Sequence, residues 1–215
     1  MSFLDTHELD NFSDFSAFYY YAVVAYSYLL GRGGMSSGDL GWTKSTQGTN
    51  SGDILTGGDA TDKIFGRDAN DVLRGMGGND VLDGGTGKDR LYGGDGDDIL
   101  IGGSGRSTDS LWGEAGADVF RFSHTSHSAV GKSRDQIKDF SSSQGDLIDL
   151  RGIDANSIKS GNQAFRFIGK AEFSHKSGEL RYASNIISGD VDGNGTADFQ
   201  IRVNATKLTK YDFLL

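Results

Sequence analysis

Aspartate recurs every nine residues, with one longer interval, through the middle of the chain. The repeated acids are Asp53, Asp62, Asp71, Asp80, Asp89, Asp98, Asp109 and Asp118. Each repeat opens with glycine, and each aspartate is followed two positions later by a large apolar residue. Carboxylates are hard oxygen ligands, and the repeats contain no His or Cys that would favour zinc. The pattern therefore predicts a series of calcium sites.

Each nine-residue unit has room for one short strand and one turn. The apolar residue lies in a three-residue strand, and the preceding glycines allow the positive φ angles that a tight turn needs. Two units make an 18-residue coil, and stacked coils form two parallel sheets with the Leu and Ile side chains between them. We therefore predict an all-β fold in which residues 45–121 form a parallel β-roll of nonapeptide repeats.

Stacking brings aspartates from successive coils together. Paired strands lie about 4.8 Å apart, about twice a Ca–O bond of ~2.4 Å. The predicted pairs are Asp53 with Asp71, Asp62 with Asp80, Asp71 with Asp89, Asp80 with Asp98, Asp89 with Asp109, and Asp98 with Asp118. Turn carbonyls would complete each oxygen shell, and the candidates are Gly75, Gly77, Gly84, Thr86, Gly93, Asp95, Gly102 and Ser104.

The repeats are not identical, so their sites are not expected to be equal. The turns from Gly75 to Ile101 keep most of their glycines and are expected to bind most tightly, whereas the first coil is expected to bind weakly. Two extra residues around Ser107 and Thr108 are predicted to bulge the turn before Asp109.

Composition agrees with a cation-stabilised repeat protein. The chain has 215 residues, a formal net charge of -9 and 33 glycines, which disfavours nucleic acid or an anionic membrane as the main partner and favours cations. It has no cysteine, so a bound metal would have to replace disulfide bonds. The acidic beginning "MSFLDTHELDNF" does not look like a secretory signal peptide, so a cytoplasmic protein or export by another route is expected.

Residues 1–44 form a separate N-terminal segment in this interpretation. Its apolar stretch, Ala17 to Gly31, is too short and too rich in tyrosine for a transmembrane segment. It predicts an aromatic-rich helix over about residues 14–31. This helix would pack on the rest of the protein, or bind a protein partner or a membrane surface.

Residues 122–215 predict a cap of short strands. The candidate strands are "QIKDF", "DLIDL", "AFRFIG", "GELRYA" and "DFQIRV". The stretch "DVDGNGTAD" resembles the first nine positions of an EF-hand loop, but Ile201 replaces the bidentate acid at position twelve. It would form either a weak calcium site from Asp190, Asp192, Asn194 and Asp198, or a polar hairpin turn.

The two predicted sheets differ on their outer faces. One carries Phe65, Val81, Ile99, Ile101 and Val119, and the other carries Arg74, Arg90 and Ser110. The more aliphatic face is expected to be covered by the N-terminal helix or by the C-terminal strands.

The repeats resemble the G-G-x-G-x-D-x-U-x nonapeptides of RTX proteins. In addition, "GADVFRFS", "DQIKDFSSSQGDLIDLRGIDAN", "GDVDGNGTADFQIRV" and the terminal "DFLL" resemble the C-terminal domain of serralysin-type metalloproteases. The resemblance covers the chain from near Gly48 to Leu215. It implies several Ca²⁺ ions, a secreted extracellular protein, and a type I exporter that reads an uncleaved C-terminal signal. Without calcium the stacked acids would repel, so the roll is expected to fold only where calcium is abundant.

No catalytic signature accompanies the repeats. The serralysin zinc motif H-E-x-x-H-x-x-G-x-x-H and the Gly-x-Ser-x-Gly elbow of lipases are not found in this sequence. "HELDN" at residues 7–11 lacks the second His, and His124 and His127 have the wrong spacing for a helical zinc pair. We therefore expect a calcium-binding protein that is not an enzyme. The alternative is an accessory module of a secreted enzyme, a serralysin-type protease or an alginate epimerase, with the catalytic part absent.

Overall fold

Strand pairing winds the repeats into a parallel roll. The computed structural model describes residues 44–105 and 107–215. The helix predicted over about residues 14–31 lies outside the described residues.

The repeat region contributes nine strands to the described part of the chain. They are β1 (Lys44–Gln47), β2 (Ile54–Thr56), β3 (Asp62–Phe65), β4 (Val72–Gly77), β5 (Val81–Asp83), β6 (Arg90–Asp95), β7 (Ile99–Ile101), β8 (Ser110–Ala115) and β9 (Val119–Arg121). Alternate strands enter opposite sheets, and each pairs in parallel with the strand one coil later. The core leucines follow this register, since Leu73 lies opposite Leu91 and Leu82 opposite Leu100.

The C-terminal region adds seven more strands. They are β10 (Gln136–Ile137), β11 (Leu147–Asp149), β12 (Arg166–Phe167), β13 (Glu179–Ala183), β14 (Ile186–Asp190), β15 (Phe199–Val203) and β16 (Phe213–Leu214). Short 3₁₀ turns lie at Thr125–His127, Gly131–Ser133 and Lys210–Asp212. The five predicted segments all contain strands, but β14 and β16 were not predicted. In the described part of the chain, no helix has the length and apolar character needed to cross a bilayer.

The cap prolongs both sheets of the roll. Within the described residues, the seven-stranded sheet has the order β1-β3-β5-β7-β9-β11-β16, and the nine-stranded sheet has the order β12-β13-β14-β15-β10-β8-β6-β4-β2. Pairing is parallel except that β14 runs antiparallel to both β13 and β15. The hydrogen bonds of the roll therefore continue into the cap without a break.

Strand length differs between the two sheets. The repeat strands β5, β7 and β9 have three residues, as predicted, whereas β4, β6 and β8 have six. The longer strands continue into the following turn, where Met76 lies opposite Gly94 and Gly77 opposite Asp95. The turns on this side of the roll are therefore held in register by backbone pairing.

The space between the sheets is filled by the repeated apolar side chains. Seven of the eight are completely buried, namely Ile64, Leu73, Leu82, Leu91, Leu100, Leu111 and Phe120, while Leu55 of the first coil is only partly buried. The cap continues this core with larger residues such as Phe122, Phe165 and Phe199. The predicted all-β roll with an internal row of Leu and Ile is thus confirmed.

The second position of several turns has left-handed backbone. Gly85 and Gly94 have φ angles of 91° and 115°, and Arg67, Met76 and Glu114 take the same conformation with φ of 79°, 82° and 69°. A residue with a Cβ atom loses about 1–2 kcal/mol there relative to its favoured conformations. The stacked turn therefore dictates the conformation even where the sequence supplies no glycine.

The aliphatic outer face of the seven-stranded sheet is not open to water. Val81 and Ile99 are only 9% and 6% exposed. The C-terminal strands join the ends of the two sheets and do not form a layer over this face. Its predicted cover by the N-terminal helix lies outside the described residues and stays a prediction.

Candidate calcium-binding ladder

The structure brings all six predicted aspartate pairs into contact. In each pair the backbone N–H of the first aspartate donates to Oδ1 of the second, with N···O distances between 2.7 and 2.9 Å. We call the eight repeated aspartates, Asp53 to Asp118, the aspartate ladder. The stacking arises from the parallel register, because each ladder residue immediately precedes or begins a strand.

The two extra residues in the seventh repeat do not break the ladder. Asp89 N–H donates to Asp109 Oδ1 over 2.8 Å, and Ser110 lies opposite Arg90 in the expected register. Ser104 still bridges to Thr86, so the register is kept on both sides of the two extra residues. The predicted bulge itself stays a prediction.

Several ladder carboxylates have an oxygen without a partner. The unpaired buried atoms are Oδ1 of Asp62 and Oδ2 of Asp71, Asp80, Asp89, Asp98 and Asp118. These side chains are at most 2% exposed. Within the described residues, no Lys, Arg or His forms an ion pair with them. Buried carboxylates are normally hydrogen-bonded, paired or bound to a metal, so these oxygens are candidate ligands for a cation.

Backbone oxygens converge on the same places. A Cβ atom added to Gly84 would lie 2.6 Å from Asp89 Oδ2 and 2.6 Å from the carbonyl oxygen of Gly102. Gly66, Gly75 and Gly93 have the same surroundings, an aspartate Oδ2 and a glycine carbonyl oxygen. The carbonyl oxygens belong to Gly84, Gly93 and Gly113 respectively. The predicted ligands Gly75, Gly84, Gly93 and Gly102 thus direct their carbonyl oxygens towards the ladder. Residues of the described chain therefore fit a cation with oxygen ligands from two stacked turns.

The remaining turn candidates stack on one another. Gly77 lies opposite Asp95, and Thr86 bridges to Ser104. Gly77 N–H donates to the carbonyl of Gly58, and Ser104 N–H donates to that of Gly85. These four residues stabilise the stacking of the turns, and their role as ligands stays a prediction.

The ladder extends beyond the repeats through two aspartates that were not predicted. Asp109 N–H donates to Asp135 Oδ1 over 2.8 Å, and Asp118 N–H donates to Asp146 Oδ1 over 3.1 Å. Asp135 Oδ2 is buried and unpaired. Both residues are followed two positions later by a buried isoleucine, as in the repeats, but the motif's glycines are missing except for Gly131, which lies four residues before Asp135. This spacing between an aspartate and an apolar residue is the sequence signal that could have identified Asp135 and Asp146.

Asp53 in the first coil differs from the others. Its Oδ2 already accepts hydrogen bonds from the backbone N–H of Thr49, at 2.7 Å, and from Thr49 Oγ1, at 2.9 Å. The residue is also only half-buried. It therefore has less need of a cation than the carboxylates of later coils.

The environment of the ladder disfavours negative charge. Burial raises the pKa of Asp98 to about 8, and the carboxylates of Asp118 and Asp80 add to this, although the backbone N–H of Asp80 opposes it. Burial likewise raises the pKa values of Asp80 and Asp118 to about 7 and those of Asp89 and Asp146 to about 6. The pKa of Asp135 is also raised, mainly by burial. A bound cation would therefore favour the ionised form of these stacked carboxylates.

In the presence of a chelator, the metal-free roll is expected to become more stable as the pH falls. A carboxyl group with a raised pKa binds protons more readily in the folded than in the unfolded chain, where its pKa is about 3.9. The free energy of unfolding should therefore rise as the pH falls from about 8 to about 4. His127 has the opposite effect on the free energy of unfolding, because burial lowers its pKa to about 4. The several carboxyl groups with raised pKa values outnumber this single histidine.

The far-ultraviolet circular dichroism signal, recorded in chelator across this pH range, would measure the effect as a regain of sheet signal at lower pH. Below about pH 4 the trend should reverse, because Asp149, whose pKa Arg151 and Arg121 lower despite its burial, loses its ion pairs there. If the metal-free chain instead lost sheet signal steadily as the pH was lowered from 8 to 4, the raised pKa values of the ladder carboxyl groups would be contradicted.

A second acidic cluster lies in the hairpin between β14 and β15. Carboxylate oxygens of Asp190, Asp192 and Asp198 lie within 4.8 Å of one another. Asp190 already accepts hydrogen bonds from the N–H groups of Gly193 and Gly195, and Asp198 accepts one from that of Val191. These hydrogen bonds fit the polar hairpin turn, and the weak calcium site stays a prediction. Asn194 bonds to Asp192, and its carbonyl contacts His175.

The two histidines of "HTSH" do not form a metal centre with a third residue in the described chain. Their ring centroids lie 5.3 Å apart in a tilted arrangement, on the 3₁₀ turn Thr125–His127 and its preceding residue. His127 is half-buried and His124 is exposed. The pair therefore belongs to the surface of the cap.

Comparison with known proteins identifies a family for most of the chain. The family described as peptidase M10 serralysin C terminal matches residues 63–215. The solution structure of the AlgE6R3 subunit from the Azotobacter vinelandii mannuronan C5-epimerase is similar at 21% identity and a TM-score of 0.35, over 85% of this chain and 84% of that chain. No curated protein sequence matches. Because the family match spans well over half of the chain, this RTX-type protein belongs to the family of serralysin C-terminal domains of the M10 peptidases.

Proposed function

We propose that the chain is a calcium-binding RTX module that is secreted by a type I system and folds on extracellular Ca²⁺. One observation carries the proposal: buried carboxylate oxygens of the aspartate ladder have no partner, and carbonyl oxygens of the next coil converge on them. Calcium would supply the positive charge that these oxygens need. Asp71, Asp80, Asp89 and Asp98, with the stacked glycine carbonyls, would hold it.

The donor set favours Ca²⁺ over other common metals. It consists of carboxylate and carbonyl oxygens only, which suits hard cations and not zinc. Mg²⁺ requires a rigid octahedron with shorter bonds and usually keeps several waters, whereas Ca²⁺ accepts irregular shells of six to eight oxygens. Ligands contributed by two separate turns suit the more tolerant ion.

Ion binding would be coupled to folding. The ladder carboxylates come from different coils, so a complete site exists only in the stacked chain. A ligand that binds only the folded state stabilises that state by mass action. In a compartment with little calcium, repulsion between buried carboxylates and the entropy of 33 glycines oppose folding.

Residues 209–215 are part of the folded cap. Phe213 and Leu214 form β16, which pairs with β11, and Phe213 is buried. Thr209 and Asp212 form a capping box that fixes the preceding turn. A signal in these residues would be covered by sheet pairing in the folded protein, so an exporter would have to read it before the roll forms. Folding outside the cell would satisfy that order.

Direct metal analysis tests the proposal. The chain is stripped with a chelator, dialysed against millimolar CaCl₂ or MgCl₂, and analysed for bound metal by plasma emission spectroscopy. We expect several Ca²⁺ ions per chain and far less Mg²⁺. Fewer than one bound Ca²⁺ per chain would contradict the proposal.

The acidic hairpin is a weaker candidate for an additional ion. Asp190, Asp192, Asn194 and Asp198 supply oxygen atoms in one short turn. Most of their oxygens are already hydrogen-bonded within the hairpin, whereas several ladder carboxylates keep one oxygen without a partner. We therefore propose the ladder as the main site.

A role as a module of a secreted enzyme is the second candidate. It is favoured by the family match, which is to the C-terminal domain of serralysin peptidases. In either case we infer that the described residues serve calcium-dependent folding and not catalysis.

A further inference from the structure

The turns that connect the two sheets form two rows, one along each edge of the roll. The turns 57–62, 75–80, 93–98, 113–118 and 139–146 lead from the nine-stranded to the seven-stranded sheet, and we call them the acidic edge. The turns 48–53, 66–71, 84–89, 102–109 and 122–135 lead in the opposite direction, and we call them the basic edge. Each edge holds four aspartates of the ladder and one of the cap, Asp146 or Asp135.

Residues outside the ladder give the two edges different charges. The sequence of the acidic edge has no lysine or arginine and has five further acids, namely Asp59, Asp95, Asp97, Glu114 and Asp139. The described residues of the basic edge have one further acid, Asp68, and the cations Arg67, Lys88, Lys132 and Arg134. The two rows of ladder carboxylates therefore lie in different electrostatic surroundings.

Two neighbouring turns show this difference with the glycines held constant. Residues 84–89 read GGTGKD on the basic edge, and residues 93–98 read GGDGDD on the acidic edge. Both turns have glycine at the first, second and fourth positions and end on a ladder aspartate. The basic edge has a threonine and a lysine where the acidic edge has two aspartates. The glycine pattern alone predicts equal calcium sites, whereas the charges predict unequal ones.

Acids of the acidic edge lie close enough to affect ladder residues. Burial is the main cause of the raised pKa of Asp118. The carboxylates of Asp146 and Asp139 raise it further. The pKa of Asp109 on the basic edge is also raised mainly by burial, and among the described residues only its ladder partner adds a carboxylate effect. An ion on the acidic edge is therefore attracted by charges beyond those of its own ligands.

The cations of the basic edge do not take the place of a metal. Within residues 44–105 and 107–215, no ladder carboxylate forms an ion pair with any of them. Lys88 and Arg134 each immediately precede an aspartate whose Oδ2 is buried and unpaired. The Nε atom of Arg134 is itself buried without a partner. These cations leave the carboxylate oxygens available, but they repel any dication that approaches.

The turns of the acidic edge are also held by more backbone pairing. Strands β4, β6 and β8 continue into them, so that Gly94 lies opposite both Met76 and Glu114. On the basic edge, Thr86 forms isolated bridges to the turns on either side, and one turn has two extra residues. The charge of the ligands and the rigidity of the site set the affinity of calcium sites. Both quantities favour the acidic edge, because preorganised ligands lose less freedom on binding.

We propose that the acidic edge binds calcium at a lower concentration than the basic edge, so that the roll fills in two steps. This inference rests on the proposed function of the ladder as a set of calcium sites. The residues that set the difference are Asp95, Glu114 and Asp139 on the acidic edge, and Lys88, Lys132 and Arg134 on the basic edge. Within each edge filling remains cooperative, because each inner aspartate contacts the coils on both sides.

The test uses the full chain, stripped with a chelator and titrated with CaCl₂ in about 10 mM salt, where charges act over about 30 Å. Titration calorimetry resolves the steps, and two-dimensional ¹H–¹⁵N NMR assigns each step to an edge. The amides of Asp80 and Asp98 should reach their final positions at a calcium concentration about fivefold lower than those of Asp71 and Asp89. In about 0.3 M salt this difference should shrink, because the outer charges are screened.

Removal of cations from the basic edge should tighten its sites. The paired substitution Lys88→Gln with Lys132→Gln should lower the calcium concentration of the second step about fivefold and change the first less than about twofold. A gain of affinity cannot result from damage to the fold. The matched control, Lys159→Gln with Lys176→Gln, removes the same charge from exposed positions of the cap. It should change neither step by more than about twofold.

Removal of acids from the acidic edge should have the opposite effect. The paired substitution Asp95→Asn with Glu114→Gln should raise the calcium concentration of the first step about fivefold. Both side chains are exposed, and the backbone pairing of the turn does not depend on them. If this pair prevents folding, the pair on the basic edge still decides the question.

The outcomes separate this inference from the proposed function. No calcium uptake at all would refute the proposed function and this inference with it. Uptake of several ions in one step, with the amides of both edges shifting together, would refute this inference alone. Filling of the basic edge first, or an equal shift of the second step in the control variant, would also overturn it.

Discussion

Removal of calcium is expected to unfold the roll. In excess chelator at neutral pH, the chain should lose most of its far-ultraviolet sheet signal and its cooperative thermal transition, and millimolar Ca²⁺ should restore both. The reason is that the ladder carboxylates from Asp62 to Asp118 are buried, and no cationic side chain of the described residues forms an ion pair with them. A single ion present at 100 times its Kd would contribute about 2.7 kcal/mol. Two or three such ions match the whole stability of a small domain, about 5–15 kcal/mol.

Circular dichroism and calorimetry in chelator, Ca²⁺ and Mg²⁺ would measure this effect. Mg²⁺ at the same concentration controls for ionic strength and should restore little. An identical sheet content with chelator and with calcium would refute calcium-dependent folding. The steepness of the calcium titration should exceed that of independent sites, because each inner aspartate contacts the coil before it and the coil after it.

Replacement of Asp98 by asparagine is expected to have opposite effects with and without calcium. Asp98 is fully buried, accepts a hydrogen bond from Asp80 N–H over 2.7 Å, and has an unpaired Oδ2. The substituted amide side chain would keep the shape and the Oδ1 acceptor but lose the charge. In calcium, the Asp98→Asn variant should be less stable by about 2 kcal/mol or more, and its calcium midpoint should rise about tenfold.

In chelator at a pH above about 8, where burial no longer keeps Asp98 protonated, Asp98→Asn should keep as much far-ultraviolet sheet signal as the parent chain or more. The control is Asp97→Asn. Asp97 is exposed, and its Oδ1 accepts a hydrogen bond from Ala117 N–H, which an asparagine can also accept. It should change stability little in either condition. A loss of stability for Asp98→Asn that is equal with and without calcium would indicate a purely structural carboxylate.

The regular part of the fold could be predicted because the period of the repeat sets the register. An 18-residue coil places Asp80 beside Asp98 and Leu82 opposite Leu100, and the structure has both. The length of β4, β6 and β8 was not predicted, because pairing of the turns depends on backbone conformation that Met76 and Glu114 adopt against their own preference.

The two aspartates that end the ladder could not be predicted from the repeat pattern. Asp135 and Asp146 lie 26 and 28 residues after their partners, so no fixed interval identifies them. The grouping of four cations on the outer side of the nine-stranded sheet could also be predicted only in part. Arg74 and Arg90 follow from the repeat, but Lys138 and Arg202 join them through the pairing of β10 with β8 and β15. The net charge of -9 for the whole chain therefore gave no indication that one side of a sheet carries several positive charges.

The hydrogen bonds of the ladder all point one way along the chain. The amide of each aspartate is held by the carboxylate of the coil that follows it, and the last two are held by Asp135 and Asp146 of the cap. The cap also contains the bulky aromatic core, with Phe122 and Phe199 almost fully enclosed. It can therefore act as a seed on which coils are templated in turn towards the N-terminus. Deleting the first coil would remove only the last coil to be templated. Deleting the cap would remove the partners of Asp109 and Asp118, and with them the surface on which every earlier coil would be built in turn.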